Sequence, residues 1–352
     1  MIDMRKYPMN LPWWPVIIVG LVLASGAPQA GACLYDKCFN TAYGAFTDDS
    51  ISAMMEAHGY SFDALEGDVV LIRAARGEGT LDPVASLFSP RGNLVGRAGI
   101  PSTGYADLTV RANSGDGNYV AVINDFMGNG RGRYYMSFQC ANRPVNPRKL
   151  EFHGVIRDSI VRKTEMIPYQ FSALAGDIVT VQMIGINGDI EPRLQLFGPD
   201  GRLYGEAMNE TYADVSNRIL DVGGKYTVIV TDFAGDESGE FFLILSRSPT
   251  NADDGTTGLP AEFALYPNYP NPFNPQTIIE FNLPRYSVVS LDVFNILGER
   301  IRTLVSDLLP PGRHTVTWDG TTSSGEQAAS GIYFYRLSAG DFIQSRKMLL
   351  LK

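Results

Sequence analysis

The chain has 352 residues, of which 45% are hydrophobic and only 19% charged, with 36 Gly and 21 Pro. That length allows two or three domains, and that mix suits an all-β chain with many turns. A net charge of −9 without a basic stripe argues against nucleic acid as a partner.

Residues 1–32 have the three parts of a secretory signal: Arg5 and Lys6 at the start, an apolar core from Val16 to Ala24, and Ala30-Gly31-Ala32 as an A-x-A cleavage site. Counted from Trp13 to Ala27, the apolar span is 15 residues, short of the ~20 that cross a bilayer as a helix. Cleavage after Ala32 leaves Cys33 first, the position a lipoprotein signal requires, although Ala30 stands where such signals usually have Leu. Cys33 is therefore the lipidation candidate.

The next stretch is duplicated. Tyr43–Gly96 overlays Phe152–Gly205 without a gap at an offset of 109. After a two-residue deletion, Tyr105-Ala106-Asp107 overlays Tyr212-Ala213-Asp214 at an offset of 107. YSFDALEGDVV (Tyr60–Val70) matches YQFSALAGDIV (Tyr169–Val179), and LFSPRGNL (Leu87–Leu94) matches LFGPDGRL (Leu196–Leu203). A period this long means duplicated domains, because solenoid repeats run ~20–50 residues. In the second copy Tyr169, Phe171 and Ala173 alternate with polar residues, and Tyr226–Val230 and Phe241–Leu245 are β-branched and aromatic runs bounded by Gly. About eight short strands with Gly and Pro turns in each copy predict an antiparallel jelly-roll sandwich.

Together, the patterns Y-x-F-x-A-x-A-G-D, L-x-L-F-x-P-x-G and G-x-Y-x-V resemble the bacterial pre-peptidase C-terminal module over residues 43–246. The second copy fits better, with Tyr169, Phe171, Ala173, Ala175, Gly176 and Asp177; the first has Glu66 in place of the second Ala. Three cysteines in an oxidising compartment leave one thiol over. The first and last strands of a jelly roll lie close together, so Cys38–Cys140 is the preferred bridge, stabilising by up to ~4.7 kcal/mol through loop closure. Cys33–Cys140 and a local Cys33–Cys38 bridge stay open.

Residues 248–262 are polar and acidic and read as a linker. The remainder, 263–352, contains YPNYPNPFNPQT, LDVFNILGERIRTL, HTVTWDG, SGIYFYRL and KMLLLK, with strand alternation at Ile279, Phe281 and Leu283 and at Val289, Leu291 and Val293. It resembles the C-terminal sorting domain of proteins exported by the bacterial type IX secretion route, an Ig-like sandwich also related to the flagellar hook-capping Ig domain. The resemblance implies an export tag read by the secretion machinery and carried by Asn271, Pro272, Phe273, Gly298, Gly331, Tyr333, Lys347 and Lys352.

The expected organisation is thus all-β: a signal (1–32), two tandem jelly rolls (33–142 and 150–247), a linker (248–262) and an Ig-like domain (263–352). His58, His153 and His314 form no HExxH arrangement, and the chain has no G-x-S-x-G elbow and no P-loop, so no catalytic residue is assigned. Asp232, Asp236 and Glu237 in DFAGDESG are the calcium candidates, because Ca²⁺ takes six to eight oxygens; a solvated acidic loop is the preferred alternative. The paired aromatics Tyr134-Tyr135 and Phe241-Phe242 should each send one ring inward and one outward. The expected function is a secreted or cell-surface, non-catalytic binding or adhesion protein with a polysaccharide or protein ligand. The alternative is an accessory binding module that serves an extracellular hydrolase.

Overall fold

In the computed structural model, which describes residues 35–186, 190–248 and 259–351, the repeat resolves into two copies of one strand pattern. The signal segment, Cys33 and Lys352 lie outside the described residues. The chain divides into two compact units, one up to Ser246 and one from Arg247.

The first jelly roll contains β1 (Lys37–Asn40), β2 (Phe46–Ile51), β3 (Ala57–Ala64), β4 (Val69–Gly79), β5 (Pro83–Phe88), β6 (Leu94–Ala98), β7 (Tyr105–Arg111), β8 (Gly117–Asp125) and β9 (Gly132–Cys140). One sheet has the order β1-β3-β8-β5-β6 and the other β2-β9-β4-β7. The second contains β10 (Arg148–Lys149), β11 (Val155–Ile160), β12 (Ile167–Ala173), β13 (Ile178–Gly185), β14 (Pro192–Phe197), β15 (Leu203–Met208), β16 (Tyr212–Ile219), β17 (Gly224–Asp232) and β18 (Gly239–Ser248). Its sheets, β10-β12-β17-β14-β15 and β11-β18-β13-β16, repeat the first pattern strand for strand. Without the leading short strand, each copy has the eight-strand order of a jelly roll.

Period-2 patterning sends one face of each strand inward. Tyr60, Phe62, Ile72, Leu87, Tyr119 and Phe138 form the first core, and Tyr169, Phe171, Val181, Leu196, Tyr226 and Phe241 the second. Burying each large side chain stabilises by about 1.5–3 kcal/mol. The shared Gly-Asp pair of the repeat is turn chemistry. Gly67 and Gly176 sit at φ +91° and +92°, where a Cβ is disfavoured. Asp68 accepts the Leu65 N–H (3.0 Å) and Asp177 the Leu174 N–H (2.8 Å), closing the same turn twice.

The two jelly rolls pack against each other through unlike surfaces. Loops at one end of the second roll sit on the outer face of the β2-β9-β4-β7 sheet of the first. Arg73 on β4, 3% exposed, donates to the carbonyls of Asp232 (2.6 Å) and Phe233. Its guanidinium also lies 3.5 Å from Asp107, which pairs with Arg193, and Arg193 in turn pairs with Glu206. Burial, with Arg193 nearby, pulls Arg73 down to about 9. Ser137 donates its hydroxyl to the Thr164 carbonyl, and the Tyr105 and Phe233 rings meet edge to face at 5.7 Å. Val69, Leu71, Ala141, Met166, Phe197 and Ile229 form an apolar cluster spanning both rolls.

The C-terminal unit contains β19 (Ala264–Leu265), β20 (Thr277–Leu283), β21 (Ser287–Phe294), β22 (Arg300–Leu309), β23 (Gly312–Trp318), β24 (Gly331–Ala339) and β25 (Phe342–Leu350). Sheets β19-β20-β23 and β22-β21-β24-β25 form an Ig-like sandwich. The alternating residues Ile279, Phe281, Leu283, Val289, Leu291 and Val293 fill its core with Trp318 and Tyr335.

The Cys38–Cys140 bridge is not formed. Cys38 is disulfide-bonded, but Cys140 is a free, buried thiol. The strands that do meet at the start and end of the roll are β2 and β9. Cys38 lies earlier, on β1, which pairs parallel with β3 in the opposite sheet, whereas Cys140 pairs with Val70 on β4. The two cysteines thus lie in different sheets, Cys38 exposed and Cys140 buried.

Candidate functional site

Most of the C-terminal residues singled out in the sequence converge. The proline-rich lead-in folds against the last strand: Phe273 donates its N–H to the Leu349 carbonyl (3.0 Å) and accepts the Leu351 N–H (3.0 Å). Asn271 Oδ1 accepts the Leu349 N–H (2.9 Å), and its Nδ2 reaches the Lys347 carbonyl (3.5 Å). The Phe273 ring is buried 5.5 Å from Trp318, which meets Tyr333 edge to face at 5.2 Å. Gly331 pairs with Leu350 beside this joint. Asn271, Pro272 and Lys347 are exposed around it. Gly298 stands apart; at φ +80° it turns the β21–β22 hairpin, with its N–H on the Asn295 carbonyl.

Asp232, Asp236 and Glu237 are not gathered into one cluster of ligands among the described residues. Asp232 is buried, and its carboxylate accepts three backbone amides: Glu191 (2.9 Å), Gly235 (2.8 Å) and Asp236 (3.2 Å). Lone pairs held by amides are not offered to a cation. Asp236 and Glu237 are exposed, and no group of three potential ligands gathers among the described residues. Asp125 does the same job in the first roll, accepting from Asp82, Met127, Asn129 and Gly130 at 2.8–3.1 Å. A Cβ on Gly130 would meet the Asp125 carboxylate at 2.2 Å. The repeated Asp-Phe at both positions was the available signal for this loop role.

Sequence reasoning missed a buried polar network in the first roll. His58 Nε2 lies 2.8 Å from Glu56, and its Nδ1 lies 2.7 Å from the Tyr134 hydroxyl and 3.3 Å from Asp49. Tyr60 hydrogen-bonds Tyr134, and Lys37 on β1 reaches Asp49 at 3.0 Å. The Phe39 ring stacks on Tyr60 at 5.0 Å. Glu56 also accepts the amides of Ser52 (2.6 Å) and Ala53 (2.7 Å). Burial pushes this carboxyl up, but the bonds from His58, Ser52 and Ala53 outweigh it and bring it to about 2. The signal was the pair of mismatches in the repeat: His58 against Ile167, and Tyr134 against Phe241.

Of the Tyr134-Tyr135 pair, Tyr134 is the ring that points inward. Tyr135 faces out, but Lys163 of the second roll covers it at 5.7 Å and Arg133 at 5.2 Å. Burial, with Asp68 nearby, pushes the Cys140 thiol up to about 11.

Residues 274–341 match the family profile of the FlgD Ig-like domain. No curated protein sequence matches the chain. Solved structures similar to it include PliG of Aeromonas hydrophila, a periplasmic inhibitor of g-type lysozyme, at 19% identity over 29% of this chain and 96% of that one, with a TM-score of 0.24. The pre-peptidase C-terminal domain of a Bacillus anthracis collagenase is similar at 15% identity over 30% and 98%, with a TM-score of 0.26. PorZ of Porphyromonas gingivalis, a surface component of the type IX secretion system, is similar at 14% identity over 36% and 15%, with a TM-score of 0.20.

Proposed function

We propose that this chain is carried out of the cell by its C-terminal Ig-like domain and acts there as a non-catalytic binding protein. The observation that carries the first half is the joint between lead-in and last strand. Phe273, Trp318 and Tyr333 lock it from inside, and Asn271, Pro272 and Lys347 are exposed on it. A secretion receptor that accepts varied cargo needs a rigid landmark built by the tag alone, and this joint uses only residues of the C-terminal domain.

The engagement of most imidazoles and thiols among the described residues supports the second half, although His153 is exposed. His58 is sealed among Glu56, Asp49 and Tyr134, His314 Nε2 sits 2.8 Å from the Pro310 carbonyl, and the Cys140 thiol is buried. General-base and nucleophile roles need such groups within reach of a substrate. The test is deletion of residues 260–352 in a bacterium with type IX machinery. The truncated product should stay in the periplasm while the full chain reaches the surface or medium. Equal export of both would overturn the address role.

A further inference from the structure

We propose that the cleft at the start of the second jelly roll binds an acidic polysaccharide, with Lys149 and Lys225 taking its negative charges. This rests on reading the jelly rolls as binding modules and names the ligand class of one of them.

The cleft measures about 470 Å³ and lies where residues 147–152 run along β12. Register places its groups. Lys149 pairs with Gln170, and Lys225 pairs with Ser172 across β12–β17. The two lysines therefore flank Gln170 and Ser172 on one face, and the half-buried Phe152 ring forms a wall, edge-on to Phe171 at 5.6 Å. Two strand spacings and two residues separate the lysine Cα atoms, about 12 Å. That span suits a chain with charges at intervals better than one small anion. The Gln170 side-chain oxygen, whose Nε2 already donates to Thr227 (3.3 Å), and the Ser172 hydroxyl suit sugar hydroxyls, and the core-packed Phe152 ring adds an apolar edge.

Arg148 is not available, because it is paired with Asp158 beside the Tyr169 hydroxyl. Lys149 pairs with exposed Glu151, and solvent-exposed pairs of this kind are weak. A ligand carboxylate can replace Glu151 at little cost.

The first roll is an internal control. There Lys149 corresponds to Asn40, Lys225 to Asn118 and Ser172 to Asp63. Those groups satisfy each other: Ser61 donates to Asn40 (2.8 Å), and Asn118 donates to Asp63 (3.4 Å). Two cations thus stand in one copy where the other has neutral amides, in a chain whose net charge is −9.

The test is calorimetric titration of the full chain with alginate as a polyuronate, heparin as a sulfated glycan, dextran as a neutral polymer and duplex DNA. Alginate or heparin should bind, more weakly as salt rises, and dextran should not. The double variant K149N/K225N, which installs the first roll's residues, should lose about tenfold in affinity with unchanged melting. Alginate against heparin decides whether carboxylate or sulfate is the charge read. Unchanged affinity of the variant, no binding of either acidic glycan, or DNA binding at least as tight would overturn the proposal. Export of the K149N/K225N chain should be normal, so failure here leaves the address role standing.

Discussion

The two jelly rolls share a fold and even a loop geometry, yet they use one end of that fold differently. Met55 and Thr164 occupy the same turn, at φ +62° and +59°. Each donates its N–H to an equivalent glycine carbonyl, Gly128 (2.8 Å) and Gly235 (2.7 Å). In the second roll this tip is buried against the first roll's sheet, with the Thr164 carbonyl taking the Ser137 hydroxyl. In the first roll the same tip carries Met54, Met55 and Met127 at 61%, 47% and 60% exposure. Duplication preserved strand order, core and turn. The copies diverged at the tip, at the leading strand, at the cleft and at one buried pair, His58 and Tyr134 against Ile167 and Phe241.

The largest expected effect falls on the contact between the rolls. Arg73→Ala removes the cation that holds the Asp232 and Phe233 carbonyls and Asp107, and should cost about 3–5 kcal/mol. Its equivalent in the second roll is Gln182. Denaturant unfolding of Arg73→Ala should split the two rolls into separate transitions, and an unchanged single transition would show that the apolar cluster alone joins them.

Next comes the buried His58–Tyr134 pair, whose positions in the second roll hold Ile167 and Phe241. Tyr134→Phe should cost about 1–3 kcal/mol, because His58 keeps a buried nitrogen without its phenol partner. The double variant H58I/Y134F installs the second roll's pair and should cost less than the two single changes summed, with a coupling of about 0.5–3 kcal/mol. Additivity within error would mean that the two side chains act independently.

Glu56 gives a smaller, pH-dependent difference. Its folded value of about 2 lies below the ordinary 4.5, so the unfolded chain binds the extra proton in that interval. The stabilisation is present above about 4.5 and is lost as pH falls from there toward 2. Unfolding free energy measured from pH 7 to 3 should fall less steeply in Glu56→Gln than in the parent.

The smallest effect is kinetic. With its thiol raised from 9 to about 11, Cys140 should have a thiolate fraction about a hundredfold lower than a free cysteine at neutral pH. Labelling by a thiol reagent should therefore wait for denaturation. Rapid labelling of the native chain would contradict the burial.

Much of this fold was legible because alternation and turn chemistry are local. The repeat offset aligned eight strands of each roll with their twins, and the Gly-Asp pair they share sits in a turn in both. What stayed hidden depends on which sheet a strand joins and what packs across a boundary. Cys38 precedes β2 by only a few residues, but β1 crosses to the other sheet, and no periodicity marks that crossing. The acidic run at Asp232 reads as a solvated loop, with calcium ligands the second choice, whereas one buried carboxylate there organises backbone amides. Arg73 reads as an ordinary strand residue, since its partners are carbonyls of the second roll. In the C-terminal domain the NPF lead-in was visible as a motif, but the pairing of Phe273 with Leu349 needed the fold.

The most direct test of the proposed function uses the C-terminal domain alone as cargo signal. A periplasmic reporter carrying a secretory signal and residues 260–352 is expressed in a bacterium with type IX machinery, and its share at the surface and in the medium is measured. The account predicts export of the fusion, and loss of export when Asn271 and Lys347 are replaced by Ala in a domain that still folds. Retention of the intact fusion in the periplasm would contradict it.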